Sequence, residues 1–313
     1  MLCYLMPVMI NIPKIFFPKK KFIPHPPPPE CEWSIGIYEG VSPFALHPLN
    51  KRINPVICPC DVSDGQARLV ADPFGVRYEG KHYLFFEAEV KTEDGYKGKI
   101  AVASSEDGET WHYKKVVLNE PFHLSYPYVF IHENQFYLIP ESRQSRQIRM
   151  YRSVLFPFQW ELDTVLLKGK RFADNSLFFY NNIWWLFTDS GNSTLRLYFS
   201  KHLKGPYKQH RKSPIRRKDP HYARPAGRLI LYQNNPIRFA QDAFPIYGSK
   251  VWGFKITTLT TKDYQEEPIA APVLEASGSG WNSHGMHTVD ATQLPDGSWR
   301  AYVDGYGSSQ VSV

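Results

Sequence analysis

From residue 71 onward the chain repeats one pattern of apolar and polar positions. "ADPFGVRYEGKHYLFFEAE" alternates with period two, reverses at a glycine, and alternates again, which predicts a hairpin whose strands each bury one face. The pattern recurs as "SYPYVFIHENQFYLIPES" from 125, "ADNSLFFYNNIWWLFTDS" from 173, "ARPAGRLILYQNNPIRFAQD" from 223 and "HTVDATQLPDGSWRAYVDG" from 287. The copies begin at Asp72, Tyr126, Asp174, Arg224 and Asp290, and end on the carboxylates Glu87, Glu141, Asp189, Asp242 and Asp304.

A second half follows each of the first four hairpins: an alternating strand with a Ser or Thr (Ser105, Ser153, Ser200, Thr257), an aromatic (Trp111, Trp160, Tyr207, Tyr264), then another strand. Each unit is a four-stranded meander of about fifty residues that cannot bury both faces alone; stacking such units radially buries them. Five hairpins predict an all-β, five-bladed β-propeller. A two-sheet sandwich is the alternative, but its turns recur every ~8–12 residues without a longer period. The fifth hairpin leaves no chain for its outer strands. "WSIGIYEGVSPFAL" (33–46) matches a third strand, so the N-terminal segment is expected to complete blade five and close the ring, leaving no free sheet edge.

Aromatic residues make up 15% of the chain, which fits β-sheet packing first and sugar-binding clefts second. Residues 1–30 read as an extended Pro/Lys-rich tail ending in "PHPPPPE", and 31–313 as a single domain. The apolar opening "MLCYLMPVMINI" is too short for a membrane span and lacks the preceding basic region of a signal peptide. A cytoplasmic location is the default expectation, with membrane association as the variant. The net charge of +7 sits largely in "PKKK" (18–21) and "IRRK" (215–218), read as solvated loops weakly attracted to anionic surfaces. No nucleic-acid motif accompanies them. Four cysteines, two of them in "ICPC", form neither a disulfide scaffold nor a paired zinc knuckle.

In a propeller the two ends of an inner hairpin meet on the face opposite its turn. The bracketing residues are therefore expected at one channel mouth: Asp72, Tyr126, Asp174, Arg224 and Asp290 in one ring, Glu87, Glu141, Asp189, Asp242 and Asp304 in a second. Crowded, buried acids raise one another's pKa, which suits ligand binding or acid/base work. The bland alternative is that Asp and Glu at strand ends merely cap turns. Asp189 and Asp304, each followed by Gly or Ser-Gly, are the strongest candidates for that. Glu79, Asp107 and Asp296 are assigned to turns elsewhere. The Gly-rich "GWNSHGMHTVDA" is expected to lie over the mouth, presenting Trp281, His284 and His287. No metal site or cofactor is assigned, although the channel could hold a structural cation.

The segments "ADPF", "FHLSYPYVF", "IPES", "ARPAGR" and "GMHTVDA" resemble the N-terminal domain of plant glucosamine inositolphosphorylceramide transferase and its stand-alone bacterial relatives, from about Trp33 to Asp304. More distantly the pattern resembles the five-bladed furanosidase propellers of glycoside hydrolase families 43 and 32. "SEDGETW" (105–111) resembles the structural Asp-box turn of sialidase propellers, one residue short. The hydrolase resemblance implies Asp72 as base or nucleophile, Asp174 as the residue that orients and tunes, and Glu141 (or Glu87) as general acid. Glu141 stands on a different blade and strand from that pattern's acid. Arg224 and His287 would bind hydroxyls or an anionic group, Trp281 and Tyr126 would stack on a sugar, and Glu87, Asp242 and Asp290 would complete the substrate site. The expectation is a glycan-active enzyme cleaving or transferring a glycosidic bond. Its rival is a non-catalytic domain recognising a carbohydrate or glycolipid, possibly anionic, beside a separate glycosyltransferase. A protein-interaction propeller is a weaker third.

Overall fold

A computed structural model describes residues 32–49 and 54–308, so the predicted tail over 1–30 lies outside the described residues. The chain enters through β1 (Glu32–Gly40) and β2 (Leu46–Pro48). Blade one follows as β3 (Ala67–Tyr78), β4 (Lys81–Thr92), β5 (Gly95–Ser105) and β6 (His112–Leu118). Blade two is β7 (Ser125–His132), β8 (Gln135–Glu141), β9 (Gln147–Leu155) and β10 (Gln159–Lys168). Blade three is β11 (Phe172–Tyr180), β12 (Ile183–Ser190), β13 (Leu195–Ser200) and β14 (Lys208–Gln209). Blade four is β15 (Ile230–Tyr232), β16 (Asn235–Asp242), β17 (Lys250–Leu259) and β18 (Tyr264–Pro268), with β19 (Leu274–Glu275) paired to β17.

Blade five joins the two ends of the chain. Its order is β20 (Val289–Gln293), β21 (Trp299–Gly307), β1, β2. The β1–β21 ladder runs antiparallel from Glu32↔Gly307 to Gly40↔Trp299. The predicted five-bladed ring and its closure by the N-terminal segment are what the structure has, and that segment supplies the fourth strand as well as the third.

Turn chemistry sets the hairpin registers. The inner turns of blades one to four are Glu79–Gly80, Glu133–Asn134, Asn181–Asn182 and Gln233–Asn234, and both residues of each have positive φ. That is the two-residue turn whose twist matches paired strands, and Asn and Gly adopt it most readily. The core lies between blades: one apolar cluster joins blades one to three, and others fill the seams between blades three and four, four and five, and five and one. At that last seam Tyr302 packs directly on Gly75, where a Cβ would stand 2.0 Å from the Tyr302 ring.

In the basic cluster at 215–218, Arg217 and Lys218 are exposed as expected, and Arg216 alone needs correction. Arg216 is not solvated: it contacts Glu266 at 2.7 Å and Asp219 at 2.9 Å, and Glu266 also takes both arms of the buried Arg238. Opposite charges fixed by packing stay together where free side chains would hydrate. The Asp-box-like turn folds as read, with Asp107 accepting from the Glu109 and Thr110 amides. Among the described residues no helix is long and apolar enough to cross a membrane.

Candidate functional site

Blades one, two and three share a device at the mouth end of the inner strand. The ladder slips between Ala71 and Phe74, between Ser125 and Tyr128, and between Ala173 and Ser176. Within each slip one residue is left-handed: Asp72 (φ 54°), Tyr126 (φ 46°) and Asp174 (φ 48°). Side-chain-bearing residues adopt this conformation at a cost of roughly 1 kcal/mol or more, and bulges of this kind re-aim a side chain. The sequence periodicity had aligned these three positions; the backbone makes them equivalent.

Blade five departs from the ring as predicted. It has no such bulge, and its ladder sets Val289 opposite Val303, with Asp290 one residue further in. Asp290 therefore does not stand at the mouth. It lies in the channel interior, accepting from the Gly75 amide (2.7 Å) and pairing with Arg228 (2.8 Å). Tyr126 is corrected too. It is buried completely, and its hydroxyl spans the channel to Ser176 Oγ (2.9 Å) and Gly227 O (3.0 Å), so it has no face for a sugar. Trp281 packs on the backbones of Gly36 and Gly305, outside the mouth pocket. Asp242 caps its own loop, contacting His221 Nδ1 (2.9 Å) and the Phe244 amide (3.2 Å). Hairpin length alone does not fix bulges or the path of insertions, so equal spacing does not place these four residues.

Carboxylates staple adjacent blades. Asp304 accepts from the Asp72 amide (3.0 Å), Asp72 from the Tyr126 amide (3.2 Å), and Glu141 from the Asp174 amide (3.1 Å). The first and third of these link a strand-end acid to the left-handed residue of the following blade. Asp189 is the turn cap expected of it, accepting from Asn192 and Thr194 (both 2.6 Å). Asp304 is not: it is wholly buried and also accepts from the His287 (3.0 Å) and Thr288 (2.9 Å) amides.

These staples leave a pocket of about 180 Å³ at the mouth. Its acids are Asp72, Glu87, Glu89 and Glu141; its basic groups are Arg224, His123 and His287; Trp33 and Tyr247 supply aromatic wall. Asp174 stands behind this surface, held by both arms of Arg224 and by Gln241 (2.7 Å). Arg224 reaches Glu141 at 3.6 Å and lies over the Tyr247 ring. His287 bridges two acids, with Nδ1 2.8 Å from Asp304 and Nε2 3.4 Å from Asp72, while Thr288 Oγ1 donates to Asp72 (2.7 Å). His123, Tyr247, Trp33 and Glu89 were not foreseen. His123 sits in the quoted "FHLSYPYVF", but nothing in its spacing marks it.

The electrostatics differ from acid to acid. Burial raises the Asp72 pKa, and the nearby His287 cation offsets part of that rise. The ionised Asp72 that the base or nucleophile role requires is thus opposed by its own desolvation. Burial and the neighbouring Asp174 push Glu141 well above the usual carboxylate range, against the pull of Arg224. Asp304 is held low despite burial, because the His287 charge and several amides favour its anion. Burial lowers the His287 pKa, but Asp304 and Asp72 raise it more, to about 9. For His123, burial lowers and Glu87, 3.0 Å from Nε2, raises by more. The Gly98 amide donates to His123 Nδ1 (3.0 Å), which a protonated ring could not accept, so the geometry holds the neutral form with its proton on Nε2. Asp72, His287 and Asp304 present ligand atoms close enough for a metal, but the amides crowding Asp304 and the raised His287 pKa suit an ion pair better.

The molecule is a five-bladed β-propeller with an acid-lined mouth, and solved structures that share its fold include glycoside hydrolases. A putative glycoside hydrolase from Parabacteroides distasonis superimposes with a TM-score of 0.60 at 14% identity, over 83% of this chain and 95% of that one. The catalytic domain of the Coprinopsis cinerea GH62 α-L-arabinofuranosidase gives 0.58 at 12% identity, over 81% and 95%. At such identities the likeness is one of fold. The chain belongs to the family described as "Glucosamine inositolphosphorylceramide transferase 1, N-terminal", whose model it matches over residues 27–306. Glucosamine inositolphosphorylceramide transferase 1 of Oryza sativa subsp. japonica is 36% identical over 304 residues, covering 89% of this chain and 40% of the relative. Its namesake in Arabidopsis thaliana is 35% identical over 302 residues, covering 88% and 39%. The chain thus spans about two fifths of the length of these relatives.

Proposed function

We propose that the mouth takes the end of a glycan or a glycolipid head group and cleaves or transfers its glycosidic bond by acid/base chemistry. The observation that carries this reading is that Asp72 and Glu141 share one small pocket with different partners: Asp72 takes Thr288 Oγ1 and the Tyr126 amide and faces His287, while Glu141 takes the Asp174 amide and lies 3.6 Å from Arg224. Glycosidic chemistry needs one protonated and one ionised carboxyl on either side of the bond. Glu141 is the acid, protonating the leaving oxygen. Asp72 is the base or nucleophile, its ionised form supported by Thr288 Oγ1, the Tyr126 amide and His287. Asp174 acts through Arg224, which it orients against Glu141. Glu87 and His123 form the opposite pair for substrate hydroxyls, and Tyr247 and Trp33 replace Tyr126 and Trp281 as the aromatic wall. With Glu141 protonated and His123 neutral, the wall sets the carboxylates of Asp72, Glu87 and Glu89 against Arg224 and His287, so a neutral sugar fits it better than an anionic one.

A second reading, a recognition domain working beside a separate glycosyltransferase, is favoured by one observation: Asp72 and Glu141 already serve as inter-blade staples, a structural role that needs no catalysis. The test is a panel of aryl furanosides, aryl pyranosides and anionic oligosaccharides, assayed with the unaltered chain and with Asp72→Asn and Glu141→Gln. Turnover lost in either variant supports the enzyme. Binding without turnover, unchanged by both substitutions, supports the recognition domain.

A further inference from the structure

On the face opposite the mouth a cavity of about 480 Å³ opens between blades two and three. That volume lies within the range of roughly 300–1,000 Å³ typical of small-molecule sites. Its floor is aromatic: Phe179 is half exposed and packs against Trp184 with ring centroids 4.8 Å apart, and Tyr137 closes the side. Its rim is formed on one side by Lys201, His202 and Lys204 of the β13–β14 connection, and on the other by His132 and Glu133, which lie 3.6 Å apart. Lys204 is committed to Asp163 at 2.7 Å. Lys201, His202 and Lys208 have no ion-pair partner among the described residues, and a second cavity on the far side of the same loop is lined by all three.

We propose that this groove is a binding site for an acidic saccharide, a sugar bearing a carboxylate, sulfate or phosphate, separate from the mouth. The C–H face of the sugar ring lies on Phe179 and Trp184, which buries apolar surface on both partners. The acidic substituent meets Lys201 and His202, which line the groove and have no ion-pair partner among the described residues. The mouth, with its excess of carboxylates, is the wrong place for such a group, so the two sites divide neutral and anionic parts between opposite faces. The proposal does not depend on whether the mouth is catalytic.

The test is calorimetric titration of the full chain with glucose 6-phosphate, glucuronic acid and glucose. Both acidic sugars should bind and glucose should bind about tenfold more weakly or not at all. Raising the salt severalfold should weaken the acidic sugars, as it does for exposed charges. Lys201→Ala/His202→Ala should cost roughly tenfold in affinity, from two polar contacts at the rim, and Phe179→Ala a similar amount, with thermal melts checking that each variant is folded. Asp72→Asn, on the opposite face, should leave the affinity for both acidic sugars unchanged. Equal binding of glucose and glucose 6-phosphate, no binding of either acidic sugar at millimolar concentration, a loss caused by Asp72→Asn, or tighter binding of a short oligonucleotide than of either acidic sugar would each overturn the assignment.

Discussion

Replacing Asp304 with Asn is the sharpest probe of the network that holds the mouth together. The change is nearly isosteric, yet Asp304 is wholly buried, accepts from three backbone amides and lies 2.8 Å from His287. Asn can still accept from two amides through its carbonyl. Its NH2 group would face the Asp72 amide and the His287 ring, donor against donor. Breaking a buried ion pair by removing one partner costs about 3–5 kcal/mol. Linkage gives a second figure. His287 rises from 6.5 to about 9 in the folded protein, and at roughly 1.4 kcal/mol per pH unit that gap amounts to about 3 kcal/mol. A raised pKa means the folded state holds the proton more tightly. The His287 contribution is thus complete below pH ~6.5 and is lost as pH climbs through about 9. Urea denaturation at a series of pH values should therefore show Asp304→Asn losing about 3–5 kcal/mol below pH 6.5, with a smaller deficit above pH 9. A deficit under ~1 kcal/mol, or one that stays level from pH 6 to 9.5, would refute the ion pair.

Three other outcomes follow from the same geometry. Tyr126→Phe should cost about 1–3 kcal/mol in urea denaturation, because the Gly227 amide loses its acceptor inside a closed channel. Gly75→Ala should cost about 1–3 kcal/mol through its clash with Tyr302, and pairing it with Tyr302→Leu should recover part of that loss in a double-mutant cycle. If the mouth turns over a glycoside, Glu141→Gln should lower kcat by about 10²–10⁴ and remove the alkaline limb of the pH–rate profile, which its raised pKa places above the ordinary carboxylate range.

The channel explains why some residues were legible as function and others were not. Asp72, Glu87, Glu141 and Arg224 reach one pocket because the repeat places equivalent positions at the same height, and His287 joins them from the segment before β20. Asp174 shares the repeat but turns inward to Arg224, since a buried carboxylate takes the strongest available donor. Asp290 and Tyr126 lie in the channel interior, where polar groups must satisfy one another across the ring, and no local pattern records a partner about a hundred residues away, as Gly227 is from Tyr126. Trp281 shows the opposite limit: a large aromatic beside two glycines on other strands goes where they leave room.

The amino-acid order by itself determined the meander, the number of blades and the closing of the ring by the N-terminal segment, because period-two alternation and turn residues act over a few neighbours and their recurrence can be counted. Tertiary structure decided which acids face the pocket, which staple one blade to the next, and which hold protons. Those outcomes depend on burial and on charges from other blades, and both are properties of the assembled ring, written in no single repeat.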